Sequence, residues 1–402
     1  MLLFLLLPAS VLWSSLGGAM FHLLAATGVV LALCDPSQAW QRLRALRRMP
    51  LLLMLAVALN LVAVLAWGLR MRELHLMPLL FALPVALAIA SVGAAGNRIL
   101  FAGAATACVL AFVVTLPEWP RADDDPTVGM LNAIVFAQIV LVCAAHTLSG
   151  ALETRAARSA LLLLAAGALG VLAVTMSGTR GAILAVPLLA GVLWAGRARW
   201  RAMPPPGRRA LALFAALMLI ATAGLAVRSG LPERFARIAD DTAAYRRGEI
   251  ATHSIAIRLS LWRASLEIAS ARPWLGHGPS RFKSALERLQ AEGTYPADAP
   301  LHAHPHNTLL SILVQYGALG LAVLLAAITL AWRGLAQAPP TTRALGRTLI
   351  VMWCLMGLSN DLLAHQNTLR VIALEIALLA ALSLRAGPDG ARASQSGQAT
   401  IS

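Results

Sequence analysis

The sequence His302-Ala-His-Pro-His-Asn-Thr-Leu-Leu-Ser-Ile-Leu-Val-Gln-Tyr-Gly-Ala-Leu-Gly320 places three histidines within five residues, directly before a long apolar run. A helix needs roughly 20 apolar residues to cross a bilayer, and this run continues to about residue 332. We therefore predict a membrane-spanning helix over residues 306–332, with titratable side chains at its first turn. This junction sets the expected fold and marks where polar chemistry can meet the membrane.

The composition of the whole chain is typical of a membrane protein. Of its 402 residues, 59% are hydrophobic and only 13% are charged, whereas ordinary soluble domains carry roughly 25% charged residues. A soluble fold cannot bury that much apolar surface. The apolar residues form long runs rather than an alternating pattern, which predicts helices rather than a barrel. The expected fold class is an all-α polytopic integral membrane protein.

The apolar runs predict about 12 transmembrane helices. Two are expected within residues 2–34, and the others at residues 51–69, 77–95, 99–116, 128–149, 159–176, 182–196, 210–227, 306–332, 347–364 and 368–385. Arginines near residues 42–48, 155–158, 197–209 and 333–347 mark cytoplasmic loops, because such loops are rich in Lys and Arg. Counting from them places both termini in the cytoplasm and the long segment 228–305 on the opposite side of the membrane.

The domain organisation follows from these spans. Residues 1–227 hold helices 1–9, residues 228–305 form one large loop, residues 306–386 hold helices 10–12, and residues 387–402 form a cytoplasmic tail. Apolar residues at helical spacing predict short helices inside the loop, around Trp262 and around Leu286.

The net charge of +15 comes almost entirely from arginine, because Lys283 is the only lysine. These charges are scattered over short loops rather than gathered on one soluble domain, which argues against nucleic-acid binding. The four cysteines lie in or at apolar runs and are interpreted as small buried residues, not as a disulfide framework or a metal site. They are Cys34, Cys108, Cys143 and Cys354.

Two arginines are candidates for anion binding. Arg180 lies in the very short turn Ser177-Gly-Thr-Arg-Gly181 between two apolar runs, where a guanidinium could fork onto phosphate oxygens or simply mark the membrane boundary. Arg258 opens the sequence Arg-Leu-Ser-Leu-Trp-Arg263. Arg258 and Arg263 could hold an anion together, or both could face water.

The three histidines allow three interpretations. In an extended strand His302, His304 and His306 would share one face, as a zinc or copper site requires. No acidic or cysteine ligand accompanies them, however, and Pro305 breaks any regular element. They could also be solvated loop residues. We favour His306 as a catalytic base, because the positive end of the following helix disfavours imidazolium and keeps the ring able to accept a proton.

Several of these motifs together resemble the O-antigen ligase family of bacterial inner-membrane glycosyltransferases. That family belongs to a superfamily shared with O-antigen polymerases and protein O-oligosaccharyltransferases. The matching motifs are Arg180-Gly-Ala-Ile-Leu184, the segment from Arg258 and Trp262 to Pro273-Trp-Leu-Gly-His-Gly278, His306-Asn307 with Gly317 eleven positions on, and Gly320. Each motif is short, but their order and spacing cover nearly the whole chain.

The resemblance implies a reaction, two substrates and a set of site residues. The family joins a glycan carried on undecaprenyl pyrophosphate to a sugar hydroxyl of lipid A–core, on the periplasmic face, without a metal ion or other cofactor. Membrane lipids are the further partner. By resemblance, Arg180 and Arg258 bind the pyrophosphate and His306 is the base. Residues with secondary or alternative roles are His304, Asn307, Arg263, Arg281 and Asp361.

Three other functions remain open at this point. A polymerase would use a lipid-linked glycan as acceptor, and a protein oligosaccharyltransferase would use a polypeptide. A transporter or flippase would place ionisable groups or broken helices in the middle of the membrane. The polar residues of this sequence cluster instead at one expected face, which favours an enzyme.

Overall fold

The structure is a computed structural model that describes residues 14–45, 49–68, 76–91, 93–118, 127–128, 131–154, 156–195, 216, 219–225, 227, 230–250 and 254–384. Among these residues the only strands are β1 (Thr127–Val128) and β2 (Leu131–Asn132), which pair antiparallel. The prediction of an all-α fold is therefore confirmed.

The first half of the chain contains ten helices among the described residues. They are α1 Ser14–Cys34, α2 Pro36–Ala45, α3 Met49–Trp67, α4 Met77–Leu80, α5 Ala82–Ser91, α6 Gly93–Thr115, α7 Ala133–Glu153, α8 Ala157–Met176, α9 Arg180–Ala185 and α10 Leu189–Ala195.

The second half contains the loop helices and the last three long helices. They are α11 Leu231–Arg247, α12 Ser254–Ala271, α13 Phe282–Ala291, α14 Thr308–Gly334, α15 Pro340–Ser359 and α16 Gln366–Leu384. Short 3₁₀ turns lie at Val186–Leu188, Leu335–Gln337 and Leu362–Ala364. Helices α12 and α13 confirm the two helical pieces predicted inside the large loop.

Among the described residues, five helices are long and apolar enough to cross a membrane. These spans are Leu16–Cys34, Arg98–Thr115, Ala133–Glu153, Ala157–Met176 and Thr308–Gln337. The chain is thus a multi-pass membrane protein, as predicted, while the full set of 12 spans stays a prediction. Four predicted segments lie outside the described residues in whole or in part: the first predicted span in residues 2–34, half of the 210–227 span, the 197–209 loop and the tail 387–402.

Several predicted spans differ in detail from the observed helices. The span expected at 77–95 is divided into α4 and α5, and α6 already begins at Gly93. The span expected at residues 128–149 begins with the small hairpin, and α7 starts only at Ala133 because the Asn132 side chain accepts from the Ile134 N–H and caps the helix. The span expected at 182–196 is interrupted by a 3₁₀ turn at Pro187. Proline lacks the N–H that a continuous helix needs there.

Helix α7 forms the centre of the bundle and is buried along nearly its whole length. Glycines let its neighbours approach closely, as is common between membrane helices. A Cβ on Gly167 would lie 2.6 Å from Thr147 Oγ1, and one on Gly170 would lie 2.7 Å from Cys108 Sγ. One charged contact joins α7 to α16, where His146 Nε2 lies 2.6 Å from Glu375 Oε2.

Helix α14 is broken at Gly317, whose φ of 65° and ψ of −162° are not helical. Residues 273–278 occupy the break, and we call them the inserted loop. The Ala318 and Leu319 N–H groups donate to carbonyls of the inserted loop at residues 273 and 274, over 2.7 and 3.2 Å. In return, the N–H groups of residues 277 and 278 donate to the carbonyls of Val314 and Gln315, over 2.7 and 2.9 Å.

These four hydrogen bonds replace the two helical backbone hydrogen bonds that the break removes. A regular helix would join Ala318 to Val314 and Leu319 to Gln315. The approach needs glycine on both sides, since a Cβ on Gly317 would lie 2.4 Å from the Trp274 carbonyl and one on Gly276 would lie 2.6 Å from the Val314 carbonyl oxygen. The inserted loop therefore fixes the end of α12 to the middle of α14.

Candidate active site

Four histidines gather at the end of the bundle where α7, α14 and α16 begin and α15 ends, which we call the histidine end. His306 Nε2 lies 3.3 Å from His302 Nδ1. The rings of His304 and His306 meet edge to face with centroids 4.4 Å apart, and His365 lies 5.9 Å from His304 in the same manner. His365 was not predicted, because it lies 59 positions beyond His306 and only the packing of α16 brings it here.

The backbone around His306 is held in a strained conformation. His306 has a φ of 53°, a left-handed value that only one other described non-glycine residue, Ser280, shares. Such a residue costs roughly 1–3 kcal/mol and often marks a functional position. Asn307 follows and caps α14, since its side-chain oxygen accepts from the N–H groups of Leu309 and Leu310 at 3.0 and 3.1 Å. The left-handed residue and the cap together place His306 directly before the first turn of α14.

Two contacts fix this segment to its surroundings. The Trp262 indole N–H donates to the Pro305 carbonyl at 3.1 Å, which ties α12 to the residue before His306. On the other side, the Asn307 amide donates to the Leu358 carbonyl at 3.2 Å near the end of α15. These contacts hold the histidine segment between α12 and α15, and the role of Asn307 stays a prediction.

The surroundings of His306 favour a neutral imidazole. Burial, followed by the positive charges of His304, His302, Arg258 and His365, lowers the pKa of His306 to about 3. Burial also lowers the pKa of His302, His304 and His365. The Nδ1 atoms of His304 and His306 have no hydrogen-bond partner among the described residues. A neutral ring with an unused lone pair is what a general base requires.

The structure separates the three candidate arginines of the large loop, Arg258, Arg263 and Arg281. Arg258 faces the histidines, because its charge lowers the pKa of His302 after the larger effect of burial. Arg263 is exposed and lies about 140° around α12 from Arg258, at 100° per residue. Arg281 is placed over the Trp67 ring, 5.9 Å from its centroid. The three positions therefore offer different surroundings to an anion, and their roles stay predictions.

Arg180 is the first residue of α9 and reaches the same end of the bundle through a short chain of contacts. A Cβ on Gly181 would lie 2.3 Å from Ser359 Oγ, so the start of α9 lies directly against the end of α15. At the next residue after Ser359, the Thr308 hydroxyl donates to the carbonyl of Asn360 at 2.9 Å. The backbone at Arg180 and the residues around His306 thus meet at the end of α15.

Asp361 is buried beside the histidines. Its carboxylate accepts from Ser311 Oγ at 2.5 Å and from the Leu363 N–H at 3.1 Å. Gln315 extends the chain, because its amide donates to Ser311 Oγ at 2.7 Å. Ser311 and Gln315 were not singled out in the sequence, although their i, i+4 spacing on α14 placed them on one face. The role of Asp361 stays a prediction.

A large apolar cavity of about 860 Å³ opens beside α14. It extends from Thr308 and Leu309, close to the histidine end, to Gly334 and Leu335 at the other end of the helix. Its remaining walls come from α3, α15 and α16. The cavity thus joins a polar end to an apolar interior over the length of a membrane span.

The described residues contain no group of three or more His, Cys, Asp or Glu side chains arranged to hold a metal ion. The four histidine rings meet edge to face rather than converging on one point. All four cysteines are free. Cys108 and Cys143 are buried as predicted, whereas the prediction of burial is wrong for Cys34 and Cys354, which lie on exposed faces of their helices.

Comparison with known proteins adds one match. A family model described as O-antigen ligase matches residues 165–325, which confirms the resemblance seen in the motifs. No curated protein matches the chain. The matched segment contains Arg180, Arg258, His306 and Gly317, whereas Asp361 and His365 lie beyond it.

Proposed function

We propose that this chain, which belongs to the O-antigen ligase family through residues 165–325, transfers a glycan from undecaprenyl pyrophosphate to a sugar hydroxyl of lipid A–core. The observation that carries the proposal is the cluster of His302, His304, His306 and His365 at the end of an apolar cavity, with Arg258 close enough for its charge to help lower the pKa of His306. A base, an anion-binding group and a lipid-sized groove are what this reaction needs.

The reaction needs one bond to form and one to break. The acceptor hydroxyl attacks the anomeric carbon of the donor sugar, and its proton passes to a ring nitrogen of His306. The bond from the anomeric carbon to the pyrophosphate oxygen breaks, and the oxygen keeps the electron pair. Arg180 and Arg258 stabilise the negative charge on the leaving pyrophosphate, as preorganised donors do without a metal ion. Attack opposite the leaving group inverts the anomeric centre.

The apolar cavity supports a lipid-linked donor. Its walls are almost entirely aliphatic, and its upper rim at Thr308 directly follows the histidine segment. A polyprenyl chain in this cavity would place its pyrophosphate at the histidine end.

The distribution of arginines supports a periplasmic site in a bacterial inner membrane. Arg333 lies in the last turn of α14, and Arg343 and Arg347 lie in the first turns of α15. All three are at the end of the bundle opposite His306. Because short cytoplasmic loops are rich in Arg, the histidine end would face the periplasm.

Reconstitution with competing acceptors tests the function. The purified full chain in liposomes receives undecaprenyl-pyrophosphate-linked glycan together with lipid A–core, a second lipid-linked glycan, or a peptide. We expect glycosylated lipid A–core as the product. Elongation of the lipid-linked glycan would identify a polymerase, and a glycopeptide would identify a protein oligosaccharyltransferase. Movement of the donor across the bilayer without transfer would identify a flippase.

A further inference from the structure

A second, smaller cavity of about 280 Å³ lies at the histidine end between the beginnings of α7 and α16. Unlike the large cavity, it is lined mainly by polar side chains, those of Asn132, His365, Gln366 and Asn367. Leu131 and Val135 supply an apolar wall. Its volume lies just below the roughly 300–1,000 Å³ of sites for drug-sized ligands, so it suits one sugar ring rather than a lipid chain.

The chemistry of the lining matches the hydroxyl and amide groups of a sugar. Asn132 is exposed, and its side-chain oxygen accepts from the Ile134 N–H at 3.0 Å, which orients its NH₂ group. The Asn367 oxygen accepts from Arg370 at 2.9 Å, which orients that amide as well. Oriented amides and an imidazole can donate to and accept from sugar hydroxyls, while the aliphatic wall can contact the C–H face of the ring.

The position of the cavity identifies which sugar it would hold. On one side, Asn132 precedes Ala133, whose carbonyl accepts from the Thr179 hydroxyl at 3.2 Å, and Thr179 directly precedes Arg180. On the other side, His365 contacts His304, which contacts His306. The cavity therefore lies between the proposed pyrophosphate-binding position and the proposed base.

We propose that the cavity lined by Asn132, His365, Gln366 and Asn367 is the subsite for the donor sugar that is bonded directly to the pyrophosphate. This proposal rests on the proposed function, because the sugar must bridge the pyrophosphate and the base during transfer. The subsite would select the first sugar of the donor glycan and leave the polyprenyl chain and the acceptor to other surfaces.

Binding of matched lipid probes tests the subsite separately from the reaction. The probes are polyprenyl pyrophosphate without sugar and the same lipid carrying one hexose or one N-acetylhexosamine, titrated against the purified full chain in detergent. For wild type we expect at least one sugar-bearing probe to bind about three- to tenfold more tightly than the sugar-free probe, as one or two hydrogen bonds provide.

Two variants should remove this sugar-dependent gain and leave binding of the sugar-free probe unchanged. Asn132→Asp keeps the oxygen that caps α7 but loses the NH₂ group, and Gln366→Ala changes a different helix. Gln38→Ala is the matched control, since Gln38 is an exposed glutamine on α2 that lines neither of the two cavities.

The other outcomes overturn the subsite. It is wrong if wild type gains nothing from any sugar, if both variants keep the gain, or if they weaken both kinds of probe equally. In each of these cases binding of the sugar-free pyrophosphate to wild type still supports the proposed function. If wild type binds none of the probes, the proposed function and the subsite fail together.

Discussion

His146 and the four histidines of the histidine end lie at different depths of the bundle. His146 is in the middle of α7, about 20 Å from the start of that helix at 1.5 Å per residue, and it pairs with Glu375. The four histidines of the histidine end contact mainly one another, and the charges acting on His306 are those of histidines and Arg258. Histidine therefore joins α7 to α16 at residue 146, where a carboxylate is its neighbour. At residue 306, where the neighbours are histidines and Arg258, the ring is kept neutral.

The largest effect is expected from His306. His306→Ala and His306→Asn should each reduce the transfer rate by about 10²- to 10⁴-fold, the range for loss of a general base. Asn tolerates the left-handed backbone of this position, so His306→Asn should keep the fold. Initial rates, donor binding and melting temperature in detergent check this expectation. If His304→Ala abolishes transfer while His306→Asn keeps it, the base is His304.

The arginines should have the next largest effect. Arg180→Lys and Arg258→Lys should each reduce kcat/KM by at least about tenfold, because an ammonium group cannot form the two-pronged contact with phosphate oxygens. Arg263→Lys is the matched control, since Arg263 is exposed on another face of α12. Near-normal transfer by Arg180→Lys and Arg258→Lys would argue against an arginine clamp.

The His146–Glu375 pair should affect stability rather than chemistry. Glu375→Ala leaves a buried imidazole without its partner, which costs roughly 1–3 kcal/mol, and should lower the melting temperature in detergent. Glu375→Gln should have a smaller effect, because an amide can still hydrogen-bond to the ring. Because Glu375 also lines the large cavity, transfer is compared at saturating donor, where activity per folded molecule should stay near wild type in both variants. Loss of transfer at an unchanged melting temperature would show that the His146–Glu375 pair contributes to the reaction rather than to stability.

The pH dependence should be weak near neutrality. Because burial lowers the pKa of His306 to about 3, the neutral base persists as the pH falls, and it is lost only as the pH approaches that value. An unperturbed histidine would lose half of its neutral form at about pH 6.5. A profile of kcat/KM from about pH 5 to 8 should therefore show no inflection from this residue. A step near pH 6.5 that disappears in His306→Asn would contradict the lowered pKa.

The smallest effect is expected from chelators. The proposed reaction uses arginines to hold the pyrophosphate, so EDTA should leave the transfer rate of the purified protein unchanged. A loss of activity that zinc restores would instead support a metal site at the histidine end. The four histidines would then differ from His146 because they bind a metal ion, not because one of them is a base.

The sequence predicted the fold class and the separate parts of the site, but not how they are joined. Apolar runs were sufficient for an all-α membrane protein, because lipid leaves few alternatives to helices. The motifs at Arg258 and His306 could be named because they are short and local. Their connection through Trp262 and the Pro305 carbonyl could not, since it depends on the three-dimensional packing of α12 against the histidine segment.

Two features explain why the sequence did not single out some residues of the site. His365, Ser311 and Gln315 are separated in sequence from the histidine run or lie within an apolar helix, where a polar residue is usually explained by helix packing. Ser311 donates to Asp361, which the sequence did single out, and Gln315 joins this chain through its bond to Ser311. The break of α14 was also not predicted, although both of its glycines belonged to the quoted motifs.

The inserted loop has a consequence for how this sequence can change over generations. Its four bonds to α14 join main-chain atoms, and the side chains of Trp274 and Leu275 face outwards, 75% and 44% exposed. Mutations at those positions leave the junction intact, while Gly276 and Gly317 exclude every other residue type from the contact. In distantly related sequences, Gly276 and Gly317 should therefore be kept together or lost together, because the contact needs glycine at both positions.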